Sequence, residues 1–330
     1  MPITILLLLG SAAVIYFACE SFVNGVEWMG QRLSLSQTAT GTILAAFGTA
    51  LPESVVTLVA TAFGKSDAQR ELGVGAALGG PLVLATIAYG VVGLALVANR
   101  KRLGRAANPV VEVNGRRLSR DQLWFLAVFV VKIAVGLVLF RFKPLLGFAF
   151  LAVYGVYVWK ELRERAEPEE GDLEPLKIRP RDAEPSLFWA FLQVGIALIV
   201  IFLASRAFVG QLGQVGPWLG ISPQLTALLL SPIATELPET MNALIWVRQG
   251  KERLALANIS GAMMIQATVP TAFGLFFTPW LLGRELVIAA VVTMVAVAVL
   301  YTMFRKGAVR AGPLALVALL YGVFAAAVMI

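Results

Sequence analysis

The chain contains no histidine and one cysteine, Cys19, among its 330 residues. Without imidazole there is no His-based metal site, no Ser-His-Asp triad and no imidazole proton relay, and a lone cysteine excludes an intrachain disulfide. Charge is also scarce: 14% of residues are Asp, Glu, Lys or Arg, against 58% hydrophobic, and the mean hydropathy is +0.81. That is the composition of a polytopic membrane protein. Any bound metal must be a hard cation held by oxygen. The basic cluster Arg100, Lys101, Arg102, Arg105, Arg116, Arg117 and Arg120 has no aromatic platform beside it. It points to anionic lipid and not to nucleic acid.

Windows of about 20 apolar residues predict ten membrane helices, at about 3–24, 37–63, 71–97, 122–140, 145–160, 187–208, 222–248, 253–280, 284–303 and 311–330. The first run has no basic flank and is long enough to span, so it is read as a helix and not a signal peptide. A polar segment rich in charge and proline separates five helices from five. The expected fold is therefore an all-α polytopic membrane protein of ten transmembrane helices, with domains at 1–160, a linker at 161–186 and a second unit at 187–330. The acidic part of the linker, Glu167 to Glu174, lacks the ligand spacing of an EF-hand loop and is expected to be a solvated hinge.

Two stretches break the hydrocarbon pattern. Ser231-Pro232-Ile233-Ala234-Thr235-Glu236-Leu237-Pro238-Glu239-Thr240 carries two carboxylates, and Gly48-Thr49-Ala50-Leu51-Pro52-Glu53-Ser54 carries one. Glu53 and Glu239 lie 186 residues apart, and at that offset Leu44–Ala76 matches Leu230–Ala262 at ten of 33 positions. The shared Gly64-Lys65 and Gly250-Lys251 turns weigh most, because composition does not place them at a fixed distance from a Pro-Glu pair. This is an internal repeat. Each half has an odd number of predicted spans, so the second copy enters the membrane inverted and the two Pro-Glu elements approach one midplane from opposite sides.

Lipid supplies no water to solvate backbone or charge, so intramembrane carboxylates must face a partner, a cavity or an ion. Glu53, Glu236 and Glu239 are the only acids deep within the predicted spans. Pro238 has no amide hydrogen, so the helix is expected to open near Ala234 and free carbonyl oxygens for a cation. Thr49 and Thr235 each precede a glutamate by four residues, which puts hydroxyl and carboxylate on one helix face. The loops after the odd-numbered helices hold 20 of the 27 basic residues. Both termini are thus expected outside and the linker in the cytosol, in a plasma or inner membrane.

The run Phe22-Val23-Asn24-Gly25-Val26-Glu27-Trp28, with Gly48 to Glu53 and the echo Thr235 to Glu239, resembles the alpha repeats of the calcium/cation antiporter superfamily, the sodium/calcium exchangers and their prokaryotic relatives. The resemblance spans nearly the whole chain and puts the repeat motifs at 41–80 and 227–266. It implies exchange of cytosolic Ca²⁺ for Na⁺, or for H⁺, at sites formed by the second, third, seventh and eighth helices, with the two Pro-Glu glutamates as central ligands. By transfer of matching positions, Thr49, Glu53, Thr235, Glu239 and Gln266 are expected metal ligands. Glu236 joins them as a novelty.

The departures from the family pattern are specific. A serine three residues before each glutamate is Ala50 in one copy and Glu236 in the other, and the polar turns of the third and eighth helices become Gly75 to Gly80 and Gly261 to Gln266. Glu236 is expected to compensate for the acid missing near Gln266, leaving three carboxylates for a divalent ion. A proton- or monovalent-coupled antiporter that does not carry Ca²⁺, an uncoupled cation pathway, and a non-transporting scaffold stay open as alternatives, whereas an enzyme lacks its usual groups. No resident cofactor and no obligatory protein partner is expected; the partners are inorganic cations and the lipid bilayer. Lys132, near the middle of the fourth predicted helix, either reaches an interhelical carbonyl, acts as a tethered cation in a lost subsite or beside Glu236, or marks a misplaced helix boundary. It is left outside the expected site.

Overall fold

The computed structural model describes residues 2–36, 39–64, 67–105, 109–163, 173–218, 229 and 231–329, without the side chains of 2, 51–53, 55–56, 67–69, 72, 209, 212–217, 231 and 234. It is helical almost throughout. α1 (Pro2–Arg32) is followed by a π-helical turn (Thr40–Ala45) that leads into α2 (Ala46–Phe63). α3 (Asp67–Val83) passes through a second π turn (Leu84–Ala88) into α4 (Tyr89–Ala98). Then come β1 (Val110–Glu112), α5 (Gly115–Leu137), a 3₁₀ turn (Lys143–Leu145) and α6 (Leu146–Arg163). The second half holds α7 (Leu187–Trp218), α8 (Ser231–Thr235), α9 (Leu237–Gln249), α10 (Glu252–Phe277), α11 (Arg284–Phe304), β2 (Ala308–Arg310), α12 (Ala311–Leu316) and α13 (Leu319–Met329).

Among the described residues, seven helical stretches are long and apolar enough to cross a membrane. The stretch forming α10 is 83% buried and that spanning α3 and α4 is 72% buried, whereas the others are 22–33% buried, so these two form the centre and the rest a lipid-facing shell. On that shell Leu6, Phe17, Phe148 and Leu203 stand exposed without polar cover. Such a surface is stable only where the surrounding solvent is itself apolar. α10 packs against α2, α3, α5, α6 and α9, while α1 pairs along its length with α7. Gly25 permits that pairing, since a Cβ there would lie 2.8 Å from Val194.

Ion pairs and a small sheet gather one set of helix ends. Lys251, before α10, lies 2.5 Å from Glu27 of α1, and Arg105, after α4, lies 2.6 Å from Glu252. β1 pairs antiparallel with β2, with Val111 opposite Val309. Arg117 and Arg120 at the start of α5 close on Glu161 at the end of α6, each at 2.5 Å. Gly250 ends α9 in the left-handed region at φ 78°, a conformation that glycine adopts without strain, and Gly64 ends α2 at φ −58°.

Two expectations change here. α1 runs to Arg32, beyond the predicted end at about residue 24. It carries buried Asn24 and Glu27 with it, because distant groups satisfy both. Asn24 donates to the Glu174 carbonyl and accepts from the Lys177 amide, and Glu27 accepts from the Trp246 indole at 2.8 Å. From Leu173 onward the linker is docked, so the end of the run expected as a solvated hinge is held: Trp28 donates to the Glu174 carbonyl, and Gln193 holds both the Ile178 amide and the Ser21 carbonyl. The rest of that acidic run, 167–172, lies outside the described residues.

Candidate cation site

The helix that carries the second Pro-Glu pair is interrupted at Glu236, which stands as a turn residue (φ −86°, ψ 6°) between α8 and α9. The break falls two residues beyond the expected Ala234. Pro238 enters at the first turn of the new helix α9, where no amide hydrogen is needed, so the strain is relieved at the new N-terminus. Glu236 occupies the N-cap position of α9 without a side-chain capping bond and Glu239 sits in its first turn, both within 1% of full burial. The partial positive charge of a helix N-terminus favours carboxylates at these two positions.

Gln266 of α10 donates its side-chain amide to both carboxylate oxygens of Glu236, at 2.8 Å each. Opposite them, on α3, is Gly80. A Cβ there would stand 2.6 Å from Gln266 Oε1 and 2.7 Å from Glu236 Oε1, and one on Gly79 would meet the Pro232 ring at 2.6 Å. A polar side chain at position 80 on this helix would collide with Glu236 and Gln266 as they stand. Glu236 and Gln266 thus meet beside Gly80, between α3, α10 and the start of α9.

The other expected ligands fall as follows. Thr49 is buried and donates to the Ala45 carbonyl at 3.1 Å, and half-buried Thr235 donates to the Pro232 carbonyl at 3.1 Å. Each hydroxyl hydrogen is turned into its own helix, leaving oxygen lone pairs for an acceptor role. The backbone of α2 continues through 51–53, but the Glu53 side chain lies outside the described residues. The first copy therefore shows no break like that at Glu236; its irregularity is the π turn at Thr40–Ala45. Two buried amides missed from sequence share this region. Asn242 is one turn after Glu239 and its side chain has no partner among the described residues, and Asn258 of α10 donates to the Glu239 carbonyl at 3.4 Å. Their signal was polarity within an apolar span.

Lys132 belongs to α5 and is fully buried. Its ammonium donates to the Ala77 carbonyl of α3 at 2.7 Å and to the Gln266 carbonyl of α10 at 3.3 Å, with the rings of Phe129 and Trp280 at 5.3 and 5.8 Å. Gln266 joins two charges: its carbonyl accepts from Lys132 and its side chain donates to Glu236. Lys132 thus lies at the edge of the site from which the sequence left it out.

Fold and site together define a class, a helical membrane protein with carboxylates gathered at a helix break in its buried centre, as cation transporters have. Comparison with known proteins then identifies the family. The model of the sodium/calcium exchanger protein family matches residues 3–161 and 189–330, and the chain belongs to that family. It is 28% identical over 283 residues to the inner membrane protein YrbG of Escherichia coli, covering 84% of this chain and 80% of that one. It is 27% identical over 176 residues to cation/calcium exchanger 2 of Arabidopsis thaliana, covering 52% of this chain and 29% of that protein. Among solved structures, the sodium-calcium exchanger NCX_Mj has the same fold, with a TM-score of 0.75, 20% identity and 97% of each chain covered.

Proposed function

We propose that the protein is a secondary cation antiporter that exchanges Ca²⁺ for Na⁺ or H⁺ by alternating access at a midplane carboxylate site. The observation that carries this reading is the Glu236 carboxylate at the α8–α9 break, held by Gln266 across the space left by Gly80. Glu53, Glu236 and Glu239 supply charge, Thr49, Thr235 and Gln266 supply neutral oxygens, and carbonyls freed at the prolines complete a set suited to a hard cation. Family membership and the described relatives support a cation/calcium antiporter.

In this reading the chain forms ten spans as two inverted five-helix units, 1–160 and 187–330, joined by a cytosolic linker at 161–186. Moved along by 186 residues, α2 falls on α8–α9, which supports the duplication. The ties Glu27–Lys251, Arg105–Glu252 and β1–β2 draw the loops after the first, third, seventh and ninth predicted helices to one face, which supports an odd number of spans in each unit. Positive-inside makes that face cytosolic.

The test is ⁴⁵Ca²⁺ uptake into proteoliposomes under an outward Na⁺ gradient, an outward H⁺ gradient or none, with Glu53→Gln as control. Gradient-driven uptake that Glu53→Gln abolishes is expected, and the gradient that drives it names the counter-ion. Uptake unaffected by Glu53→Gln would refute the site, and no gradient-driven uptake would refute Ca²⁺ exchange.

A further inference from the structure

Two prolines inside central helices have a shared geometry. Pro81 of α3 and Pro270 of α10 lack the amide hydrogen that would bond the carbonyl four residues earlier. Those carbonyls are Ala77 and Gln266, and both accept from Lys132 Nζ. Two helices thus each offer a proline-freed carbonyl to one point, and two aromatic faces close it, with Phe129 and Trp280 turned to the ammonium. Trp280 is fixed there by its indole, which donates to the Lys132 carbonyl at 3.2 Å. Freed carbonyls and ring faces are what a bare monovalent cation would be held by in a membrane interior.

A hydroxyl or a water would satisfy orphaned carbonyls without bringing a full charge into a buried place, where charge is costly. The charge has its counterpart one residue away, since Gln266 binds Lys132 through its backbone and Glu236 through its side chain. We infer that Lys132 is a tethered monovalent cation: its ammonium permanently fills a carbonyl subsite between α3 and α10, so the site binds one fewer exchangeable monovalent ion than its oxygens could hold. The inference rests on the reading of the buried carboxylates as a cation site, but it concerns how many ions bind and can be read without transport.

Equilibrium ²²Na⁺ binding to the purified full chain, counted as ions per protein, tests it for wild type, Lys132→Met, Lys132→Gln and Lys132→Arg, with ⁴⁵Ca²⁺ binding measured in parallel. Lys132→Met and Lys132→Gln remove the charge and are expected to bind one more Na⁺ than wild type, and Lys132→Arg, which keeps it, the wild-type number. In the saturating range the extra ion makes the Na⁺ dependence of stability steeper, the folded-to-unfolded ratio rising about tenfold more per decade of Na⁺. An unchanged count in both neutral variants, with wild type binding cations, overturns the tethered-cation inference alone. No Na⁺ or Ca²⁺ binding by any form overturns the cation-site reading itself. Neutral variants recoverable only in high NaCl support the inference, because free Na⁺ then replaces the missing charge. Neutral variants unrecoverable in any salt, beside a folded Lys132→Arg, overturn it and leave the lysine a structural strut.

Discussion

The side-chain amide of Gln266 lies 2.8 Å from each carboxylate oxygen of Glu236, tying α10 to the break between α8 and α9. A hydrogen bond to a charged acceptor contributes roughly 1.5–3 kcal/mol, and here the acceptor is fully buried. Gln266→Glu replaces that bond with a second carboxylate. Without divalent ions the variant is expected to melt several degrees below wild type, and Ca²⁺ is expected to raise its melting temperature more than it raises that of wild type. A thermal-unfolding series in detergent with and without Ca²⁺ reads both effects; equal melting temperatures in the absence of Ca²⁺ would show that the bond carries no stability.

Gly80→Ala adds a methyl group where the Glu236 and Gln266 oxygens stand within 2.7 Å of its ideal position. Both oxygens end buried side chains that are bonded to each other, so the Glu236–Gln266 pair must shift together. Overpacking of this kind costs about 1–3 kcal/mol. The variant is expected to lose stability and Ca²⁺ affinity together, whereas Gly155→Ala, where nothing lies within 4 Å, is expected to lose neither. Isothermal binding of Ca²⁺ to the two variants separates these outcomes.

Much of the helix order was legible because a bilayer demands about 20 apolar residues per span and punishes charge within it. Glu236 and Glu239 stood out for the same reason, and the identity of Gly80 became intelligible only when α3, α8 and α10 were brought together. The end of α1 was missed because Asn24 and Glu27 look like loop residues until Glu174 and Lys251, both far along the chain, supply their partners. The cage around Lys132 went unread, although Pro81 and Pro270 leave the carbonyls of Ala77 and Gln266 without their helical donors. That α5 brings a lysine to both is a property of tertiary packing.

At the start of α5, Arg117 and Arg120 share the carboxylate of Glu161, which is 1% exposed, and Thr42 of the first π turn donates to it at 3.4 Å. Removing one partner of a buried ion pair leaves the other charge uncompensated, at about 3–5 kcal/mol. Glu161→Gln removes the carboxylate that Arg117, itself 6% exposed, is paired with. The variant is expected to unfold at markedly lower temperature, and the double change Glu161→Gln with Arg117→Met to recover part of the loss. A double-mutant cycle of thermal stability measures the coupling; additive effects would show that the pair is not energetically joined.

Glu27 belongs to a motif that the family resemblance draws attention to, yet its bonds make it an anchor and not a cation ligand. It accepts from the Trp246 indole at 2.8 Å and pairs with Lys251 at 2.5 Å, at the far end of α9 from Glu239. Ten residues of helix separate Glu239 from Gln249, the last residue of α9, which corresponds to roughly 15 Å, too far for one ion to touch both ends. Glu27→Ala leaves a buried indole hydrogen without an acceptor, which costs about 1–3 kcal/mol. Glu27→Gln keeps an acceptor for Trp246 and is expected to lose less. If Glu27 only anchors α1, both variants lower thermal stability while the Ca²⁺ concentration giving half-maximal uptake stays at the wild-type value. A rise of about tenfold or more in that concentration for Glu27→Gln, with stability retained, would instead put Glu27 on the ion path and enlarge the site toward the face where Lys251, Arg105 and the linker meet.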